Sequence, residues 1–162
     1  MTAPDGRMRR LVRWGRAHAL ELALGAVAAV PFVVAVVRAV AHHYVPVGDD
    51  ALIALRVRDV FTVHQPLLGT GSSASITLGV DVNHPGPAMF DLLAPFARAL
   101  GTGTGIAVGV TVLNVACLLG AAVMAHRVAG RRGYVLVLLL GSVLAWSMGS
   151  EFLFDVWQPN QL

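Results

Sequence analysis

Apolar residues along this chain gather into long unbroken runs, with polar residues confined to the segments between them. Three runs approach the roughly 20 residues that a helix needs to cross a bilayer. They predict membrane-spanning helices over 19–40, 104–126 and 134–154. The first opens near Glu21, closes at Arg38 and carries Pro31 in its middle. The third is interrupted near its far end by Gly149-Ser150-Glu151. The expected fold class is an all-α integral membrane protein with three transmembrane helices.

The segment 41–103 is too long for a simple connector and should carry structure of its own. Leu52, Ile53 and Leu55 set against Arg56, Arg58 and Asp59 predict a short helix over 50–61. Gly, Ser and Thr dominate 65–79, which reads as an irregular loop. His84-Pro85-Gly86-Pro87 is a stiff turn, because each proline fixes its own φ and restrains the residue before it. Met89, Leu92, Leu93, Phe96 and Leu100 then recur at helical spacing, with Asp91 and Arg98 away from the stripe. This run is short and amphipathic, so it is expected to lie along a membrane surface, with Pro95 kinking it or starting a new turn.

Composition supports the membrane class. The chain is 56% hydrophobic and 13% charged, with a mean hydropathy of +0.70, far from the charge content of soluble domains. Its twelve basic residues are all Arg. They flank the apolar runs instead of forming a patch, which argues against a nucleic-acid partner and for the positive-inside pattern. Arg7, Arg9, Arg10, Arg13 and Arg16 precede the first run, and Arg127, Arg131 and Arg132 lie between the second and third. Residues 1–18 and the turn 127–133 are therefore expected in the cytoplasm, with 41–103 and the tail 155–162 outside. A signal peptide ending near Ala39-Val40-Ala41 is the rival to an uncleaved first span. The single Cys117 rules out an intrachain disulfide. Three spans leave most helix faces to lipid, and the polar end Trp157–Leu162 closes no structure. The chain thus reads as the N-terminal portion of a larger polytopic protein, or as a subunit that needs further helices.

Candidate chemistry concentrates in the segment between the first two runs. Asp49 and Asp50 stand side by side just ahead of a helical run. As a capping residue and a first-turn acid they would stabilise the helix start. As an acidic pair facing a substrate they would take a proton from a weak nucleophile. His84 serves either as a turn residue or as a neighbour of that pair, and Arg56 and Arg58 either as a solvated face or as anion contacts. A metal site at His42 and His43 would need further ligands at set spacing, which Asp49 and His64 could supply in principle; interfacial histidines are the expected reading, with no metal or other cofactor. Asn114, an amide inside a span, is expected to bond a neighbouring helix.

The order of these motifs resembles the polytopic membrane glycosyltransferases of the GT-C fold, particularly their protein-mannosyltransferase and aminoarabinose-transferase branch. The resemblance rests on a first span followed by Gly48-Asp49-Asp50-Ala51, then His84-Pro85-Gly86-Pro87 before Phe90-Asp91-Leu92-Leu93-Ala94-Pro95-Phe96, with weaker support from Phe154-Asp155-Val156-Trp157. It covers about 10–100 and departs in having His-Pro-Gly-Pro where relatives show His-Pro-Pro, and three spans where they have many more. It implies transfer of a sugar from a polyprenyl-phosphate donor to an acceptor outside the cell membrane. Asp49 would act as general base, Asp50 would orient it, and His84, Arg56 or Arg58 would hold the phosphate. The alternative is a non-catalytic accessory or assembly subunit of the same architecture.

Overall fold

A computed structural model describes residues 18–72, 74–84 and 87–156, and all its regular elements are helices. Arg7, Arg9, Arg10, Arg13 and Arg16, the Pro85-Gly86 pair and the tail beyond Val156 lie outside the described residues. Helix α1 spans Ala19–Ala41, α2 Asp49–Asp59, α3 Ala74–Leu78, α4 Ala88–Leu100 and α5 Thr102–Met148. Two of these, α1 and α5, are long and apolar enough to cross a membrane, with mean hydropathies of 2.4 and 2.3.

Helix α5 covers both of the later expected spans, because helical geometry resumes directly after a break at Gly130 (φ 61°, ψ −155°). That left-handed conformation suits a residue without Cβ. It also reverses the chain. A Cβ added at Gly141 would strike the Leu118 side chain, although residues 23 apart in a straight helix would sit about 35 Å from one another. The two arms of α5 are therefore an antiparallel hairpin. The second arm stops at Met148, short of the expected 154, because Gly149 (φ 82°) turns the chain out of the helix.

Helix α1 packs along both arms. Near its start, Ala28 meets Ala122, Tyr134 and Leu138, and the Tyr134 hydroxyl donates to the Glu21 carbonyl at 2.8 Å. Near its end, Phe32, Ala35 and Ala39 meet Ala107, Ala145, Leu153 and Phe154. Small residues dominate these contacts, and they allow the helix axes to approach closely, as helices in lipid require. The outward side chains Val27, Val30, Val33, Val34 and Val37 remain exposed. Asn114, the one polar amide here, donates to the Leu153 carbonyl at 3.2 Å, which lies in the turn after α5 and not on a neighbouring helix.

The short helices build a separate core over this end of the hairpin. Ile53, Val57 and Val60 of the α2 region pack against Phe90, Leu93, Ala94 and Ala97 of α4 and Ile106 and Val110 of α5. Burying a side chain such as Phe90 or Leu93 contributes about 1.5–3 kcal/mol. One face of α4 is thus covered by protein, through Phe90, Leu93, Ala94 and Ala97. Its phase differs from that of the expected stripe, since Leu92 and Leu100 are exposed while Phe90, Ala94 and Ala97 are buried. Alanines escaped the spacing pattern, yet they form the close face. The same holds in α2, where Leu52 and Leu55 are exposed and Ala54 and Val57 are buried.

The loop after α2 is pinned to α4. Arg98 donates to the Val60 carbonyl and stands 5.5 Å over the Phe61 ring, while Gln65 donates to Asp91 at 3.1 Å. Within 65–79, expected to be irregular, α3 forms and Gly71 pairs with Asn83 in an isolated antiparallel bridge.

Gly105 lets α5 touch α4, for a Cβ there would overlap the backbone of Phe96 and Ala97. Gly120, on the same helix, has open space around it. Gly105→Ala should lower stability by about 1–3 kcal/mol through overpacking. Gly120→Ala should lower it not at all. Chemical unfolding of both variants in detergent measures the contrast, and equal effects would contradict the close packing of α4 on α5.

Candidate functional site

The end of α1 determines where the first polar side chain of the site stands. His43 adopts a left-handed backbone (φ 52°), and two bonds close the helix: His43 N–H to the Val40 carbonyl at 3.1 Å and Tyr44 N–H to the Ala39 carbonyl at 2.9 Å. This is a Schellman motif, which satisfies carbonyls left open at a helix end. It turns Tyr44 back across the helix terminus, where its ring meets Phe154 edge-on, with centroids 5.1 Å apart and planes at 71°.

Helix α2 starts at Asp49, and its N-cap position is Gly48 (φ 57°), which makes no side-chain cap bond. Neither aspartate is the N-cap. Both occupy the first turn, where their charge complements the helix dipole. They differ in direction. At about 100° per residue, Asp50 shares the stripe of Ile53, Ala54 and Val57, all buried, whereas Asp49 lies off it and is exposed.

The segment after α5 supplies the third component. Beyond Gly149, a turn held by Asp155 N–H to the Glu151 carbonyl at 3.1 Å buries Leu153, Phe154 and Val156. Asp155 is thereby brought into the same cleft as Asp50, near enough for its charge to act on the Asp50 carboxyl. The Tyr44 hydroxyl donates to Asp50 Oδ2 at 3.1 Å. These groups line one wall of an open cleft of about 480 Å³, with Arg38 and His42 of α1 on another wall and Ser150, Glu151 and Phe152 completing it.

Burial first, and then the charge of Asp155, push the Asp50 carboxyl above the usual carboxylate range; the Tyr44 hydrogen bond acts the other way, and Asp49 adds a smaller upward push. Tyr44 is itself held well above the ordinary phenol range, first by burial and then by the Asp50 charge. An ionised carboxylate with a raised pKa is a stronger base than a solvated one.

The five residues expected to form the site do not all meet. Asp50 lines the cleft, and Asp49 sits at the adjacent helix start, facing outward. Arg58 lines a second cleft of about 330 Å³ behind Tyr44, walled by Pro46, Leu55 and Gly103 among others. Arg56 is exposed and lines neither cleft. His84 is half-buried and tied through its N–H to the Thr70 carbonyl at 2.9 Å, also away from both clefts. Among the described residues, no three His, Cys, Asp or Glu are gathered as they would be around a metal ion. Asp155, Tyr44, Arg38 and His42 were not anticipated. The Asp50-Ile53-Ala54-Val57 spacing carried the inward direction of Asp50, but no local pattern could link it to a residue 105 positions later.

Asp50 titrates above its unfolded value, so its contribution to stability is complete below the ordinary carboxylate range. That contribution is lost as pH rises through the raised folded value. Asp50→Asn keeps the hydrogen bonds without the charge. The variant should match the parent in thermal midpoint at acid pH and exceed it at higher pH, with a flatter profile between. Thermal unfolding in detergent across pH tests this, and a constant offset at every pH would contradict the raised Asp50 value.

Compared with family models, curated proteins and solved structures, the chain matches none. Its own residues therefore carry the functional reading.

Proposed function

We propose that this chain is part of a membrane glycosyltransferase of GT-C type, moving a sugar from a polyprenyl-phosphate donor to an acceptor outside the cytoplasm. In this reading α1 and the two arms of α5 are three membrane spans. The Arg127, Arg131 and Arg132 turn faces the cytoplasm, and the Asp50 cleft opens at the opposite surface. The observation that carries the proposal is the convergence of Asp50, Asp155 and Tyr44 in a cleft whose other wall bears Arg38 and His42.

The chemistry needs one base and a stabilised leaving group. Asp50 takes the proton of an acceptor hydroxyl as that oxygen forms its bond to the anomeric carbon. The bond from that carbon to the phosphate oxygen breaks, and the electron pair leaves with the phosphate. The transition state has oxocarbenium character, which a nearby carboxylate also favours. The Arg38 guanidinium and the His42 ring are the groups nearest to hand for the departing phosphate, in place of Arg56, Arg58 and His84.

One observation favours the accessory-subunit reading: Arg56, Arg58 and His84, which the family resemblance would enlist, stand outside the cleft. Transfer of a labelled sugar from polyprenyl phosphate, in membranes containing the protein, distinguishes the two. Asp50→Asn should reduce transfer by about 10²–10⁴-fold, the range expected for loss of a general base, while Asp49→Asn should change it by less than about tenfold. Full transfer by Asp50→Asn, or none by the parent, would overturn the catalytic assignment.

A further inference from the structure

Helix α4 doubles back along the start of α5. A Cβ added at Gly105 would overlap the backbone of Phe96 and Ala97, and one at Gly109 would strike Leu93 and Phe96. Met89 and Leu113 pack against the same core, so the pair is antiparallel and the start of α4 stands level with about Leu113. The other helices end close to that level. Because Gly141 lies beside Leu118 in the hairpin, Met148, the last residue of the second arm, comes level with Thr111. Ala39, near the end of α1, shares a core with Ala107 and Ala145. The lengths agree. Residues 102–129 run about 42 Å at 1.5 Å per residue, about 12 Å more than the hydrocarbon of a bilayer. With the three helices as spans, residues 102–110 therefore stand clear of the hydrocarbon, and α4 descends beside them to its edge.

The segment ahead of α4 is fastened to itself. Ser72 N–H donates to the Val82 carbonyl at 2.8 Å, and His84 N–H to the Thr70 carbonyl at 2.9 Å. The Ser75 hydroxyl donates to the Val82 carbonyl at 3.1 Å and accepts from the Val82 N–H at 2.9 Å. Backbone groups satisfied internally in this way can leave water at little cost. The apolar side chains of the segment find no cover in the protein. No residue of α3 is buried, and Ile76, Leu78 and Val80 are 89%, 63% and 61% exposed. Between Arg58 and Arg98 the chain has no Lys or Arg, and Asp81 is the only acid within 74–84. Charge therefore does not draw this segment to an anionic partner, whereas its level and its apolar side chains suit a lipid surface. We propose that residues 74–80 dip into the outer leaflet of the bilayer, seating Ile76, Leu78 and Val80 among the headgroups and upper acyl chains while Asp81 stays in water. Apolar burial at that interface anchors the lower end of α4, and with it the core that α4 shares with α2, the helix bearing Asp50. This anchor rests on α1 and the arms of α5 being membrane spans and does not need the transferase reading.

A nitroxide label placed at one position at a time tests the anchor, in the full chain with a Cys117→Ser background and in phosphatidylcholine nanodiscs without substrate. Ile76→Cys and Leu78→Cys report the segment, Leu100→Cys the far end of α4, and Val33→Cys the middle of α1, all at exposed positions. Power-saturation spectroscopy reads collision with oxygen, which gathers in lipid, and with a nickel chelate, which stays in water. The labels at 76 and 78 should lose collision with nickel relative to 100 and gain collision with oxygen, approaching the label at 33. Nickel collision at 76 and 78 equal to that at 100, with 33 still in lipid, would overturn the anchor and leave the spans standing. Shielding of 76 and 78 from both reagents would overturn it in favour of a protein partner or a second copy of the chain. A label at 33 in contact with water would overturn the spans, and the anchor with them.

Discussion

The reversal at Gly130 determines where everything after it arrives. A straight α5 of 47 residues would extend about 70 Å at 1.5 Å per residue, carrying its far end away from α1. With the reversal, the second arm runs alongside α1 in the same direction. Tyr134 at its start reaches the Glu21 carbonyl, and Arg131 approaches the Glu21 carboxylate at 3.4 Å. That ion pair is partly solvated and contributes little by itself, about 0–1 kcal/mol. The tyrosine bond and the Ala28, Ala122 and Leu138 packing set the register. Once register is set, the chain leaves the second arm beside the end of α1, and Asp155 arrives at Asp50.

Two helix ends then convert that arrival into a chemical site. The Schellman turn at His43 aims Tyr44 across the cleft, and the first turn of α2 aims Asp50 into it. Each is a local arrangement that an ordinary helix could make. Their combination places a phenol and a carboxyl within hydrogen-bonding reach, with Asp155 lining the same cleft. Ionising a carboxyl that is partly withdrawn from water beside other acids is costly, and the Tyr44 hydroxyl bond offsets part of that cost. The same burial gives Asp50 its raised basicity.

Much of the helical framework was legible in the sequence, because long apolar runs and three- and four-residue spacings are local signals. The first run, the short helix after Gly48 and the amphipathic run ending at Leu100 all appear as helices. The faces of the short helices were less legible. The large residues Leu52, Leu55 and Leu92 attracted the inward assignment, yet Ala54, Ala94 and Ala97 are buried, since close approach of helices selects small side chains. The site was legible only by half. Asp50 could be found from its stripe, but Asp155 depends on a reversal 25 residues earlier and on a turn at Gly149. Arg56 and His84 were drawn in by the family resemblance, which says little of their placement once α2 turns Arg56 outward and the Thr70 bond holds His84 in its own loop.

The meeting of Asp50 with Asp155 is tested most directly by cross-linking Asp50→Cys to Asp155→Cys in a Cys117→Ser background, with a short thiol-specific bridging reagent in intact membranes. The folded-back hairpin predicts rapid, intramolecular bridging at that pair and little when Asp49→Cys replaces Asp50→Cys. Failure of the Asp50 pair to bridge, or equal bridging by the outward-facing Asp49 position, would contradict the cleft on which the functional reading depends.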